Sequence, residues 1–306
     1  MTTDYNQILK FTIALNSGLG LSHHIVNNVV SNLNISDINL ESANDFLRAM
    51  YPSLPTMSEE HWTSASVILD KHESHNIYSL PFVSPTYPAA LKLIKNPPSI
   101  LYLRGDINIL KSLPGAAIVG TRKVTPNGAI IAQRISSFLS QNGWTIISGL
   151  AIGIDASAHQ GALMANGKTI AVLAHGLHKA SPKQNSLLAD EILLNGGAWV
   201  SEHPWGAEAR REYFVHRNRI QIGLSAGSII VESEIQSGTA TQAEFCIQSN
   251  RPLFAVVPNS PDNSLSLLSN GPLHLVEHLG AIPIKSKNDY QFILEKLNQS
   301  RLYLSR

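Results

Sequence analysis

Cysteine is almost missing from this chain of 306 residues: Cys246 stands alone. One thiol cannot close an intrachain disulfide or build a cysteine-based zinc site. Set in a predicted helix, it reads as a buried packing residue. Net charge is nearly absent too, at +1 from 23 Lys and Arg against 22 Asp and Glu. No global field announces a polyanion, so an anion site must be a local patch assembled by the fold. No uncharged apolar run approaches the roughly 18–20 residues needed to span a bilayer, which argues against a membrane partner. The opening Met1-Thr2-Thr3-Asp4-Tyr5-Asn6 shows neither a basic nor an apolar leader region, so no signal peptide is visible and a cytoplasmic location is expected. Two phosphate-binding signatures are also lacking. Gly149-Leu150-Ala151-Ile152-Gly153 has the wrong spacing for Gly-x-Gly-x-x-Gly, and Gly-Lys-Ser/Thr does not occur. NTP hydrolysis has little support, and no cofactor is expected.

What remains is an ordinary folded composition, 43% hydrophobic and 15% charged, with room for one large or two modest domains. Residues 1 to about 74 show helical periodicity and no convincing strand. Gly18-Leu19-Gly20-Leu21 between two apolar segments reads either as a helix–hairpin–helix-like turn or as a plain corner between helices. The segment is poor in base: Lys10, Arg48 and Lys71 are its Lys and Arg residues. Residues 75–306 form the second expected unit. It opens with a proline-punctuated lead-in that ends in Ile100-Leu101-Tyr102-Leu103. Strands are then expected at 116–119, 144–148, 169–174, 198–201, 228–232 and 253–257. Helices are expected near 127–142, 155–166, 185–195, 216–225 and 240–250. Continuous apolar strands alternating with helices of this length predict an α/β fold, with a doubly wound parallel sheet preceded by a small helical domain.

The chemistry-bearing residues gather where these strands end. Gly120-Thr121-Arg122-Lys123 follows the first strand and Ser148-Gly149-Leu150-Ala151-Ile152-Gly153-Ile154-Asp155 the second. A strand that ends in a glycine turn and opens a helix leaves amide N–H groups free beside the positive end of the helix dipole. Lys179 and Lys183 follow the third strand, and Arg217-Asn218-Arg219 lies beyond the fourth. Ser237-Gly238-Thr239 places a glycine and hydroxyls at another helix start, a third phosphate or ribose contact. These turns are built to hold phosphate, on a nucleotide or on nucleic acid. Asp155 and His159 share one helix face and read as a helix-start cap and a packed histidine. His175, His178, His203 and His216 match no common zinc spacing, so no metal is expected.

Taken in order, these turns resemble the DNA-processing protein A (DprA/Smf) family over roughly residues 82–258. The likeness rests on Gly120-Thr121-Arg122, on Ser148-Gly149-Leu150 through His159, and on Ser201-Glu202-His203-Pro204. It continues through Phe214-Val215-His216-Arg217-Asn218-Arg219 and Ser237-Gly238-Thr239. The resemblance implies an extended Rossmann-like domain that binds single-stranded DNA, forms a homodimer and delivers a RecA-type recombinase, in transformation or recombination. It implies no catalytic residue. The implied pocket contains Arg122, Lys123, Ser148, Gly149, Arg217, Asn218, Arg219, Ser237, Gly238 and Thr239. There are departures: Ser181-Pro182 stands where the family carries Tyr-Pro, Thr241-Gln242-Ala243-Glu244-Phe245 is atypical, and no C-terminal winged-helix domain is apparent. A second reading stays open, in which the chain is a nucleotide-binding sensor or a phosphoribohydrolase-like enzyme of the same fold superfamily. Glu244 or Glu232 would then stabilise charge developing on ribose.

Overall fold

The computed structural model describes residues 5–35 and 37–304; residues 1–4, most of the opening segment in which no signal peptide is visible, lie outside the described residues. Helix α1 (Tyr5–Ile13) runs into a wide turn over Ala14–Gly18, and α2 (His23–Ser31), α3 (Leu40–Met50) and α4 (Glu59–Ser74) follow. Side chains that cap helix starts set two of these beginnings. The Asn39 side chain accepts from Ser42 N–H at 3.0 Å at the head of α3, and Ser58 does the same for His61 at the head of α4; such a cap contributes about 1 kcal/mol. At the corner before α2, Leu19 N–H bonds Ala14 O at 2.9 Å and Leu21 N–H bonds Leu15 O at 3.1 Å. Those two amides point into the turn itself, the arrangement of a packing corner.

The sheet follows as β1 (Ile77–Pro81), β2 (Ile100–Gly105), β3 (Gly115–Val119), β4 (Ile146–Ser148), β5 (Thr169–Val172), β6 (Ala198–Ser201), β7 (Ser225–Ile230), β8 (Leu253–Val256) and β9 (Ile282–Ile284). The short α5 (Ala89–Lys92) precedes β2. Between the later strands run α6 (Pro126–Gln141), α7 (Ile154–Met164), α8 (Ser186–Leu194), α9 (Arg211–Gly223), α10 (Gly238–Gln248) and α11 (Asn270–Leu279), with α12 (Tyr290–Leu304) at the end. The nine strands lie in the order β1-β2-β6-β5-β4-β3-β7-β8-β9. From β6 to β9 every pairing is parallel, while β1–β2 and β2–β6 are antiparallel. The chain steps outward from β3 to β6, returns through α9, and steps the other way from β7. The order therefore reverses between β3 and β7, the place where open α/β sheets leave a crevice beyond their strand ends.

This is the doubly wound sheet expected from the apolar runs, and β3 through β8 are buried along their whole length. Two differences have plain causes. Residues 100–103 are not merely a lead-in: they belong to β2, whose partners β1 and β6 lie far off in sequence. Helix α9 starts at Arg211 rather than near 216, because its first turns bury no residue and so carry no apolar period to mark them. The helices α1–α4 also share a hydrophobic cluster with the sheet. Phe11, Leu15, Val29, Leu47 and Trp62 pack in one cluster with Tyr102, Leu173 and Trp199.

Candidate nucleic-acid interface

The turn after β3 is clamped from two sides. Thr121 N–H bonds Glu232 O at 2.7 Å, just past β7, and Thr121 O accepts from Ile154 N–H at 3.2 Å, at the start of α7. Lys123 N–H closes on Thr121 Oγ1 at 3.1 Å. Fixing the backbone in this way leaves Arg122 exposed, its guanidinium 5.5 Å from the centre of the Phe214 ring. Such a cation–π contact contributes about 0.5–1 kcal/mol at an exposed site and orients the charge.

The turn after β4 is different, because much of its bonding is internal. Ser148 Oγ donates to Ile118 O at 2.6 Å, and Leu150 O accepts from Asn185 Nδ2 at 2.8 Å. Gly149 O accepts from His159 Nε2, while His159 Nδ1 lies 2.6 Å from Thr169 Oγ1. Burial lowers His159 to about 4, so the ring is neutral at pH 7 and serves as a strut. The backbone of Ala151 donates to the Asp155 carboxylate. A Cβ on Gly149 would fall 2.2 Å from Arg217 Nη1 and 2.3 Å from Asp155 Oδ2, so only glycine lets these two groups approach the turn. Gly153 has φ +90°, a conformation costly for any side-chain-bearing residue. These residues shape the site, and the expected row of free amides on this turn is reduced.

The third turn opens α10. Ser237 Oγ donates to Glu234 O at 2.8 Å and lies 2.5 Å from Thr239 Oγ1, while Gly238 is exposed with nothing within 4 Å of where a Cβ would stand. Asn218 Nδ2 donates to Gly238 O at 3.0 Å and so ties α9 to the head of α10.

Together these turns enclose a cleft of about 280 Å³ at the reversal point of the sheet. Gly120, Thr121, Arg122, Arg217, Asn218, Ser237, Gly238 and Thr239 line it, with Val119, Ala151, Asp155, Phe214, Val215, Gln221 and Gln242. A smaller cavity of about 160 Å³ shares Arg122, Ala151, Phe214 and Arg217 with it and adds Leu150. Arg217 is the buried cation of both. Its Nη1 donates to Val172 O at 2.7 Å, and its Nε has no partner among the described residues. Burial lowers its pKa from the usual arginine value, with Asp155 pulling the other way. Burial likewise raises the Asp155 carboxyl, against the pull of Arg217.

Other residues expected at the pocket lie elsewhere. Arg219 is a correction: its Nη1 and Nη2 grip both oxygens of Glu202 at 2.9 and 2.5 Å, and its Nε donates to Asn96 O at 3.0 Å. That guanidinium is part of the scaffold and lines neither cavity. Lys179 holds both oxygens of Glu208 at 2.8 and 2.9 Å on the surface. Exposed Lys183 sits in the turn whose neighbours Pro182 and Gln184 line the smaller cavity, and exposed Lys123 flanks Arg122. Glu232 is wholly buried and accepts from Thr125 N, Thr125 Oγ1 and Leu268 N at 3.0, 2.7 and 2.9 Å. Glu244 does not line the cleft but an adjoining hollow with His274 and Leu275, which meets the cleft at Thr239. From the sequence neither Phe214 nor Gln221 stands out as a wall of the cleft, and Gln242 is marked only as part of the atypical segment Thr241–Phe245. One signal was present: Gln221 interrupts the apolar pair Ile220 and Ile222.

Among the described residues no group of three or more His, Cys, Asp or Glu is arranged to hold a metal. His203 instead stacks on Tyr213 at 4.0 Å, and His175 Nδ1 lies 2.8 Å from Gly176 O. Cys246 is buried, with its thiol pushed up to about 12 by that burial. No helix among the described residues is long and apolar enough to cross a membrane.

The family model for DNA recombination-mediator protein A matches residues 79–297. Protein Smf of Synechocystis sp. is 39% identical over 240 residues, 74% of this chain and 60% of that protein. The DNA processing protein DprA of Bacillus subtilis is 33% identical over 243 residues, 79% of this chain and 76% of that one. Among solved structures, DNA processing protein A of Streptococcus pneumoniae superposes with a TM-score of 0.67 at 29% identity, covering 93% of this chain and 92% of that one. DNA processing protein A of Helicobacter pylori, described for its single-stranded DNA binding mode, gives a TM-score of 0.63 at 30% identity, covering 72% and 97%.

Proposed function

This chain belongs to the DNA recombination-mediator protein A family, and from that membership we propose that it binds single-stranded DNA in the cleft beyond the ends of β3 and β7 and loads a RecA-type recombinase on it. In this reading it works in the cytoplasm as a homodimer, without a cofactor and without catalysis. The observation that carries the reading is the lining of the cleft: Arg122 at the mouth, buried Arg217 inside, and the exposed start of α10 on the far wall. Gly120, Thr121, Lys123, Ser237, Gly238 and Thr239 supply the remaining phosphate contacts. Ser148, Gly149, Leu150, Gly153 and Asn218 hold the walls in place. Arginine forks on phosphate are charge-assisted and geometrically selective.

The phosphoribohydrolase reading needs a free carboxylate beside a bound sugar. Glu232 is bonded on both oxygens inside the scaffold, and Glu244 opens on another hollow. Asp155, the carboxylate of the cleft, takes a backbone bond from Ala151 and faces Arg217. This placement supports a binding protein over an enzyme.

The test compares labelled single strands and duplexes of one sequence across a salt series. Single strands should bind more tightly, with log affinity falling by about 0.7 per log salt for each phosphate neutralised. Glu244→Gln should leave binding unchanged. A flat salt response or equal affinity for duplex would sink the reading. So would release of free base from deoxynucleoside monophosphates that Glu244→Gln abolishes.

A further inference from the structure

Far from the cleft, one edge of the sheet carries a groove. Among the described residues β1 pairs with β2 alone, so its outer side is an unpaired edge. A hollow of about 810 Å³ runs beside it, against about 280 Å³ for the cleft. Four consecutive strand residues line this hollow: Ile77, Tyr78, Ser79 and Leu80. Successive strand side chains point to opposite faces, so a hollow that meets all four lies along the edge and not over one face. The backbone agrees. Phe82 N–H bonds Ser99 O at 2.8 Å in the β1–β2 register, and alternate residues turn their peptide groups the same way. Tyr78 and Leu80 therefore face β2, while Ile77 and Ser79 turn their N–H and C=O outward. On that side Tyr5 Oη donates to Ser79 O over a long 3.4 Å. Such an edge is a template for one more strand.

The walls say what kind of strand. Ile77 packs in the cluster of helices α1–α4, whereas Leu80 packs in a separate cluster that Ile107 joins. One face of an added strand would thus look to α4 and the other to Leu80 and Ile107. On α4 the lining is Asp70 and Glu73, both exposed, and neither carboxylate has an ion pair or hydrogen bond among the described residues. Lys10 of the same lining lies 4.7 Å from the centre of the Trp62 ring. Unpaired acids repel nucleic acid, and they repel the same groove of a second copy. The opening Met1-Thr2-Thr3-Asp4 adds an acid and no lysine or arginine. We propose that this groove takes an extended segment of a partner protein as an additional strand on β1. The segment is alternately basic and apolar, with its cations against Asp70 and Glu73. This interface is separate from the cleft and stands independently of the single-strand reading.

Three labelled peptides of equal length test it: Lys-Val-Lys-Val-Lys-Val-Lys, its Glu-Val counterpart, and the lysine peptide N-methylated along its backbone. The last keeps the charge and has no amide N–H for the ladder. Fluorescence anisotropy measures their binding to the full chain and to the double variant Asp70→Asn, Glu73→Gln, whose folding is checked by thermal melting. The lysine peptide should bind about tenfold or more tightly than either control, and the double substitution should weaken it about fivefold or more. Equal binding of the N-methylated peptide means attraction of charge without strand pairing and overturns the proposal. So does binding that survives the double substitution, and so does failure of the lysine peptide to bind. Sedimentation of the same samples covers the remaining occupant: if the lysine peptide halves the mass of the protein, a second copy holds the edge and the proposal falls.

Discussion

The two sides of α9 carry the same residue types to opposite ends. Toward β6 and the helical layer, Arg219, Glu202 and His23 form a closed network. Arg219 clasps Glu202, and His23 Nε2 of α2 lies 2.7 Å from Glu202 Oε2. Burial alone would raise the Glu202 carboxyl, but the bond to His23 and the charge of Arg219 overcome it and hold it below the carboxylate range. Toward the cleft, Arg217 and Gln221 keep polar atoms without partners among the described residues. The contrast separates scaffold from site: a saturated buried network stabilises one arrangement, while an unsaturated one leaves valences for a ligand.

Acid should break both sides at once, with the largest effect. Burial lowers His72 and His203, at the junction with the helical layer, and His159, under the cleft, each to about 4 from 6.5. The unfolded chain therefore takes up more protons between those values, so stability is full above about pH 6.5 and falls as the pH drops toward 4. Each ring accounts for roughly 3 kcal/mol when the loss is complete. Glu202, depressed in the fold, adds a further loss below about 4.5. Urea denaturation between pH 7.5 and 4.5 measures this; a flat profile would mean that the rings are solvated.

Next in size is Arg219→Ala, which leaves the buried Glu202 carboxylate with His23 as its one charged partner named above and should cost about 3–5 kcal/mol of stability, or on the order of 10 °C in Tm. Single-strand affinity of the folded fraction should not change. Loss of binding with Tm intact would move Arg219 into the site and erase the contrast. Smaller again is Arg217→Ala, expected to weaken single-strand binding by about 1–3 kcal/mol. Its effect on Tm should be below that of Arg219→Ala, because Asp155, already raised toward neutrality, can take a proton when its cationic neighbour is gone. Thermal melts and a binding isotherm on the same preparations rank the pair.

The sheet was legible because strands covered on both faces must be apolar throughout, and β3 through β8 are. The strand-end turns were legible because glycines and hydroxyls mark them locally. What escaped was what depends on distant partners: β1 and β2 pair with each other and with β6, which no local pattern encodes, and β9, α11 and α12 were not anticipated. The cleft was half visible. Thr121, Arg122, Arg217 and Gly238, all named from the sequence, line it, whereas Gln221 and Gln242 lie inside α9 and α10, with no turn to mark them.

By itself the sequence determined the α/β layering and the glycine- and hydroxyl-bearing turns at the strand ends, since backbone periodicity and turn chemistry are local properties. The order of its motifs marked the family as well. Only the tertiary structure decided which side chains face the cleft. Residues two apart on a helix point about 200° apart around its axis, so Arg217 enters the cleft while Arg219 turns to Glu202. Neither direction has meaning until the sheet and the helical layer are packed on either side of α9.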